Sequence, residues 1–143
     1  MLSIDTNLLI SAIDRKHSFH QVSKQTLDKL LSGKEQIGLT SAVLHEFMSV
    51  VTKPNRVEKP LSIKQAVKIV EHWLAAPNVS LIVEQADHFK QLLKLSAKNE
   101  ITGSGIFDAE ILAICLSNGV TEFYTLDRKF PTDDSVKLVN PTV

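Results

Sequence analysis

Short apolar runs alternate along this chain with segments of helical periodicity, and this alternation limits the possible folds more than any other feature. Between most of the runs, apolar residues recur every three or four positions, as they do on one face of a helix. Strands that alternate with helices favour a parallel sheet with helices on both faces. We therefore predict an α/β fold with a mainly parallel central sheet, whose strands lie near residues 1–4, 36–39, 79–83, 123–126 and 136–139.

Length and composition predict one globular domain over residues 1–143. The chain is 43% hydrophobic, which is enough for a substantial core. No apolar run approaches the ~20 residues that cross a membrane, and the N-terminal residues do not resemble a signal peptide. The single cysteine, Cys115, cannot form an internal disulfide. We expect a buried thiol, which fits a protein of the reducing cytoplasm.

Capping and turn residues divide the remaining sequence into helices. We expect Thr6 or Asn7 to cap the first helix, which follows the first strand directly. The last helix should follow a glycine-rich turn at 102–105 and end at 118–119, with Ile106 and Phe107 on its apolar side. Other helices are expected to end at 32–33 and to cover 42–52, 62–76 and 84–99.

Three aspartates occupy positions where such folds collect functional groups. Asp5 ends the first strand, Asp127 ends a later one, and Asp108 begins the last helix. Ligands of open α/β sheets bind beyond the carboxyl ends of the strands, so these acids should share one edge of the sheet. Asp5 and Asp108 could instead cap helices, which is the commoner use of aspartate at such positions.

Glu46 interrupts an apolar pattern in the helix at 42–52. It lies three or four residues from Val43 and Val50, which share a face with Phe47. A carboxylate within a buried stripe needs a partner, and a metal ion is one candidate. The alternative is that Glu46 lies at the edge of the stripe and reaches water.

Four carboxylates that converge on one edge would repel each other, and a divalent cation would relieve that repulsion. Oxygen-only ligands suit Mg²⁺ or Mn²⁺ better than Zn²⁺. Sites with two such ions hold the attacking and leaving oxygens in phosphodiester cleavage. This chemistry needs acids, a metal and a water, and no protein nucleophile.

The chain resembles the PIN-domain nucleases, specifically the small stand-alone type found as VapC-like toxins. The resemblance rests on four segments: residues 5–9 (DTNLL), Glu46 on a mid-chain helix, Asp108-Ala109 at a helix start, and residues 125–130 (TLDRKF) after a strand. It implies a metal-dependent endoribonuclease with Asp5, Glu46, Asp108 and Asp127 as the acidic cluster. It also implies supporting roles for Thr125 and Asn7, a homodimer and a cognate antitoxin protein.

The 16 basic and 16 acidic residues leave no net charge, so RNA binding would have to depend on local groups of basic residues. No stacking platform is evident, since the chain has one Trp and one Tyr. The candidates for phosphate contacts are Arg15, Lys16, Lys53, Arg56, Arg128 and Lys129.

Two other functions stay open at this point. One is a PIN-like module that binds RNA or protein without catalysis, and the other is an RNA-processing nuclease outside a toxin–antitoxin pair. All four acidic positions are filled, which favours an enzyme.

For the homodimer, the apolar faces of the helices at 62–76 and 84–99 are the expected contact surface. Glu110, about 200° around the helix from Asp108, should point away from the site.

Overall fold

The computed structural model describes residues 1–143 and places all five predicted strands in one parallel sheet. The order across the sheet is β3-β2-β1-β4-β5. The strands are β1 (Leu2–Ile4), β2 (Ile37–Thr40), β3 (Val79–Ile82), β4 (Glu122–Tyr124) and β5 (Lys137–Val139). The predicted α/β architecture is therefore confirmed.

Six helices connect these strands. They are α1 (Thr6–Ile13), α2 (His20–Ser32), α3 (Ser41–Val51), α4 (Ile63–Ala75), α5 (His88–Lys98) and α6 (Gly105–Ser117). Every residue of β1 and β2 is buried, as expected for a parallel sheet covered on both faces. None of the helices combines the length and hydropathy that crossing a bilayer would require.

Local signals explain several helix boundaries. Ser62 caps α4 with a capping box, in which its hydroxyl accepts from the Gln65 N–H while the Gln65 side chain accepts from the Ser62 N–H. Gly119 follows α6 with a φ of 76°, a left-handed conformation that glycine adopts without strain. The helix therefore ends where the sequence predicted.

Two expectations about helix starts were wrong. Asp5, rather than Thr6 or Asn7, caps α1, because its side chain accepts a hydrogen bond from the Thr6 N–H. The helix expected from residue 84 begins at His88. The segment between β3 and α5 is tied to the end of α6 instead, because the Asn118 side chain donates a hydrogen bond to the Val83 carbonyl at 2.9 Å.

One contiguous core lies between the sheet and the helices. Trp73 of α4 packs on Phe47 of α3 with ring centroids 4.7 Å apart. Cys115 is fully buried, and this burial raises the pKa of its thiol to about 12. The thiol is therefore unreactive at neutral pH, as expected for a structural cysteine.

Candidate active site

The carboxyl ends of β1 and β4 bring Asp5 and Thr125 together at one edge of the sheet. Ile4 pairs with Tyr124 in register, and the Asp5 N–H donates to the Tyr124 carbonyl at 2.8 Å. The Thr125 hydroxyl donates to Oδ2 of Asp5 at 2.6 Å. Within the sheet, β2 and β3 lie on one side of β1, whereas β4 and β5 lie on its other side. Asp5 therefore occupies the switch point at which open α/β sheets bind ligands.

Thr125 bonds directly to the backbone of Asp127, and Asn7 bonds to the two residues before it. The buried Thr125 hydroxyl accepts from the Asp127 N–H at 3.0 Å and from the Asn7 side-chain amide at 3.4 Å. The Asn7 side-chain oxygen accepts from the Leu126 N–H at 3.2 Å. The start of α1 and the loop after β4 are thus joined by side chains, and both residues predicted to support the site lie in it.

Glu46 reaches the same edge from α3. Its Oε2 accepts a hydrogen bond from the Thr6 hydroxyl at 2.9 Å. The expectation of a carboxylate within the buried stripe was wrong, because Glu46 is exposed beside that stripe and the alternative edge position is the observed one. Sequence reasoning considered Thr6 only as a cap and missed this contact, although its place directly after Asp5 was a usable signal.

Asp108 lies in the first turn of α6 and is half-buried. It lines a cleft of about 570 Å³ together with Glu46. No hydrogen bond from the protein contributes to the pKa of Asp108, and no side chain caps α6. Helix capping therefore does not account for the presence of an aspartate at position 108. At position 5 it accounts for one carboxylate oxygen, Oδ1, which accepts from the Thr6 N–H.

The electrostatics couple all four carboxylates. Burial raises the pKa of Asp5 to about 7 against the opposing hydrogen bonds from Thr125 and Thr6, and the charges of Asp108 and Glu46 raise it further. Burial also raises the pKa of Asp108 to about 6, with further contributions from Asp127 and Glu46. Each acid thus repels at least one of the others, as expected for a cluster that lacks a counter-charge.

The donor set of this cluster fits a hard divalent cation. The four side chains offer only oxygen atoms, which Mg²⁺ and Mn²⁺ prefer. No three of the four have carboxylate oxygens that all lie within 4.8 Å of one another. Bound Mg²⁺ retains several waters, so ligands at this spacing could hold it partly through water.

The six basic candidates are all exposed, but the structure places only two of them beside the acids. Arg128 and Lys129 directly follow Asp127, and the Lys129 N–H donates to its Oδ1 at 2.8 Å. Arg15 and Lys16 follow the opposite end of α1 from Asp5, about 12 Å away for a helix of this length. The other two, Lys53 and Arg56, lie in the loop between α3 and α4.

Comparisons with known proteins identify relatives along nearly the whole chain. A family model described as PIN domain matches residues 2–132. Ribonuclease VapC48 of Mycobacterium tuberculosis is 23% identical over 139 residues, which cover 97% of this chain and 96% of that protein.

Two solved structures share the fold. The VapC20 toxin of M. tuberculosis, described as cleaving the sarcin-ricin loop, has a TM-score of 0.67 and 18% identity, with coverage of 91% of this chain and 92% of that one. VapBC2 of Rickettsia felis, bound to a DNA fragment from its promoter, has a TM-score of 0.69 and 20% identity, with 97% of each chain covered.

Proposed function

The chain belongs to the PIN domain family, and from this premise we propose that it is a metal-dependent endoribonuclease. Asp5, Glu46, Asp108 and Asp127 would bind Mg²⁺ or Mn²⁺ and so direct a water onto an RNA phosphodiester. The observation that carries this proposal is the convergence of the four carboxylates into one coupled cluster at the switch point of the sheet. The ribonuclease names of its relatives support it.

The residues of the site would have different tasks. Two hydrogen bonds fix Asp5, so it would be a rigid ligand, while Asp108 has none and can reorient as an ion binds. A bound divalent ion supplies an activated water and offsets the charge of the phosphodiester. Arg128 and Lys129 stand where they could hold a flanking phosphate by charge alone. The more distant basic residues would contact RNA only further along the strand.

We propose further that the protein is the toxin of a toxin–antitoxin pair acting on RNA in the cytoplasm. Support comes from solved structures of the same fold, which include toxin–antitoxin complexes from several bacteria. A binding module without catalysis has less support, because each of the four acidic positions holds a carboxylate and the cluster shows no substitution.

The test is cleavage of single-stranded RNA by the purified protein. We expect endonucleolytic products with Mg²⁺ or Mn²⁺ and none after chelation with EDTA, with activity restored by excess metal. Co-expression with the product of a neighbouring small open reading frame should suppress the activity. Cleavage that persists in EDTA would overturn the metal-dependent mechanism, and RNA binding without cleavage would favour the binding module.

We also propose a homodimer through the outer face of α5. Phe89 and Leu93 lie one turn apart on this helix and are 66% and 67% exposed, and Phe107 at the start of α6 is 62% exposed. Large exposed apolar side chains often mark an interface. Two expectations need correction. On α4, only Ile63 and Ala75 are exposed among the apolar residues, and the others are buried or half-buried, so this helix offers little apolar surface for a contact. Phe107, expected on the apolar side of the last helix, faces outward.

Leu93→Lys should convert the dimer into a monomer of 15.9 kDa, because it places a charge at the centre of the proposed apolar contact. Analytical ultracentrifugation measures the mass. Ile63→Lys is the matched control, since Ile63 is comparably exposed on α4. Wild-type protein that sediments as a monomer at high concentration would contradict the proposal, and so would dissociation by Ile63→Lys alone.

A further inference from the structure

Three metal-ligating side chains meet beside the four-carboxylate cluster. One of them, Glu110, also borders the cleft that Glu46 and Asp108 line, although it was expected to point away from that site. Glu84 lies before α5, His88 is the first residue of α5, and Glu110 lies in α6. One ligand atom from each lies within 4.8 Å of the other two, and no other group of three such side chains in the molecule is gathered as closely. Nε2 of His88 is 3.6 Å from Oε1 of Glu84.

The imidazole of His88 has no hydrogen-bond partner, although the residue is only 3% exposed. Its Nδ1 is completely enclosed without a partner, and the distance from Nε2 to Glu84 exceeds that of a hydrogen bond. Phe89 packs edge-on against the ring, with centroids 5.6 Å apart. Burial of an imidazole without partners costs free energy. An ion bound through Nε2 would give that nitrogen a partner and so recover part of the cost, while Nδ1 would stay unpaired.

We infer that Glu84, His88 and Glu110 bind a divalent transition-metal ion of the Zn²⁺ type. One imidazole and two carboxylates form a three-ligand set that Zn²⁺ accepts, with water in the remaining position. Imidazole is a ligand for Zn²⁺, Ni²⁺ or Cu²⁺ rather than for Mg²⁺. The chemistry of this site therefore differs from that of the oxygen-only cluster at the sheet edge.

One of the three spacings already suits a bound ion. Ligand atoms about 2.0–2.2 Å from a tetrahedral Zn²⁺ lie about 3.3–3.6 Å apart, and Nε2 of His88 is 3.6 Å from Oε1 of Glu84. The two distances to Glu110 are at most 4.8 Å, so its side chain would have to move closer by up to about 1.5 Å. The Glu84 side chain is half exposed, so it can move and gives an ion a path from solvent. The ion would join the start of α5 to α6, the helix that also carries Asp108.

Co²⁺ spectroscopy tests this inference. Co²⁺ absorbs visible light strongly in a four-coordinate site and weakly in a six-coordinate oxygen site, so it distinguishes the two clusters. Tag-free protein is titrated with Co²⁺ under excess Mg²⁺, and Zn²⁺ is then added. We expect an absorption band that saturates at one equivalent per chain and disappears as Zn²⁺ displaces Co²⁺.

Variants decide which residues hold the ion. His88→Gln and Glu110→Gln should each weaken Co²⁺ binding by at least roughly tenfold, the lower limit for losing even an outer partner of a metal site. Asp108→Asn, in the other cluster, and His72→Gln, an exposed histidine of α4, should leave the band unchanged. If His88→Gln does not fold, Glu110→Gln decides alone, since its side chain is only partly buried.

No band in the wild-type protein would mean that the three side chains lie together without holding an ion, and the inference would be overturned. Retention of the band in Glu110→Gln, or its loss in Asp108→Asn, would overturn it equally. None of these results depends on RNA cleavage, so the failure of this site and the failure of the proposed nuclease function can be told apart.

Discussion

Asp108→Asn is expected to reduce RNA cleavage by at least about 100-fold, the effect of removing one preorganised electrostatic contact in other enzymes, without destabilising the fold. Asp108 receives no hydrogen bond that lowers its pKa, while Asp127 and Glu46 repel it. The amide removes that repulsion and one metal-binding oxygen at once. The free energy of unfolding should stay the same or rise while activity falls.

The paired measurements are a denaturant melt and a cleavage time course with Mg²⁺. Asp133→Asn is the matched control: this acid accepts a hydrogen bond from the Ser135 N–H at 3.0 Å, and such bonds lower its pKa. It should lose some stability and cleave at the wild-type rate. Asp5→Asn is a less specific test, because Asp5 also caps α1 and its replacement can change stability through the cap. Wild-type activity in Asp108→Asn would remove Asp108 from the mechanism.

Metal-free protein is expected to lose stability between about pH 4 and pH 7, and Mg²⁺ should restore it at neutral pH. The folded-state pKa of Asp5 is about 7 and that of Asp108 is about 6, both above the ordinary 3.8. A raised carboxyl pKa means that the folded protein binds the proton more tightly than the unfolded chain does. The contribution to stability is full below about pH 4 and disappears as the pH rises through about 6 and 7.

The effect of Asp5 alone is of order 4 kcal/mol, because each unit of pKa shift corresponds to about 1.4 kcal/mol. Asp108 adds less, since it is half exposed to screening solvent. For a chain of this size, each kcal/mol moves the melting temperature by roughly 2–4 °C. Asp5 alone therefore corresponds to a loss of about 8–16 °C, and Asp108 adds to it.

Thermal melts from pH 4 to pH 8, with EDTA or with Mg²⁺, measure this change. Asp87 and Asp133 have lowered pKa values and act in the opposite direction at acidic pH, so the useful quantity is the difference between wild type and Asp5→Asn. Without metal, the free energy of unfolding of wild type minus that of Asp5→Asn should fall as the pH rises from 4 towards 7, because only the wild type carries the titrating carboxyl. Parallel curves for the two proteins would show that Asp5 is not electrostatically strained, and no response to Mg²⁺ would count against the metal site.

Sequence periodicity was sufficient to predict the sheet and most helices. Parallel strands buried on both faces must be short apolar runs, and the helices that cross between them must repeat every three or four residues. The position of the aspartates after β1 and β4 at one edge of the sheet was also predictable, because the carboxyl ends of parallel strands share one edge. Thr125 and Asn7 were predicted to support the site only through the family resemblance.

Only the tertiary structure decided which contacts these residues make. The Thr6 hydroxyl bonds to Glu46, 40 residues away, and the Thr125 hydroxyl to Asp5, 120 residues away, and local periodicity carries no information about such pairs. The exposure of Glu46 and the meeting of Glu84, His88 and Glu110 likewise depend on how the helices pack. Side-chain spacing within one helix determines its faces, but the neighbour that each face meets is set by the rest of the fold.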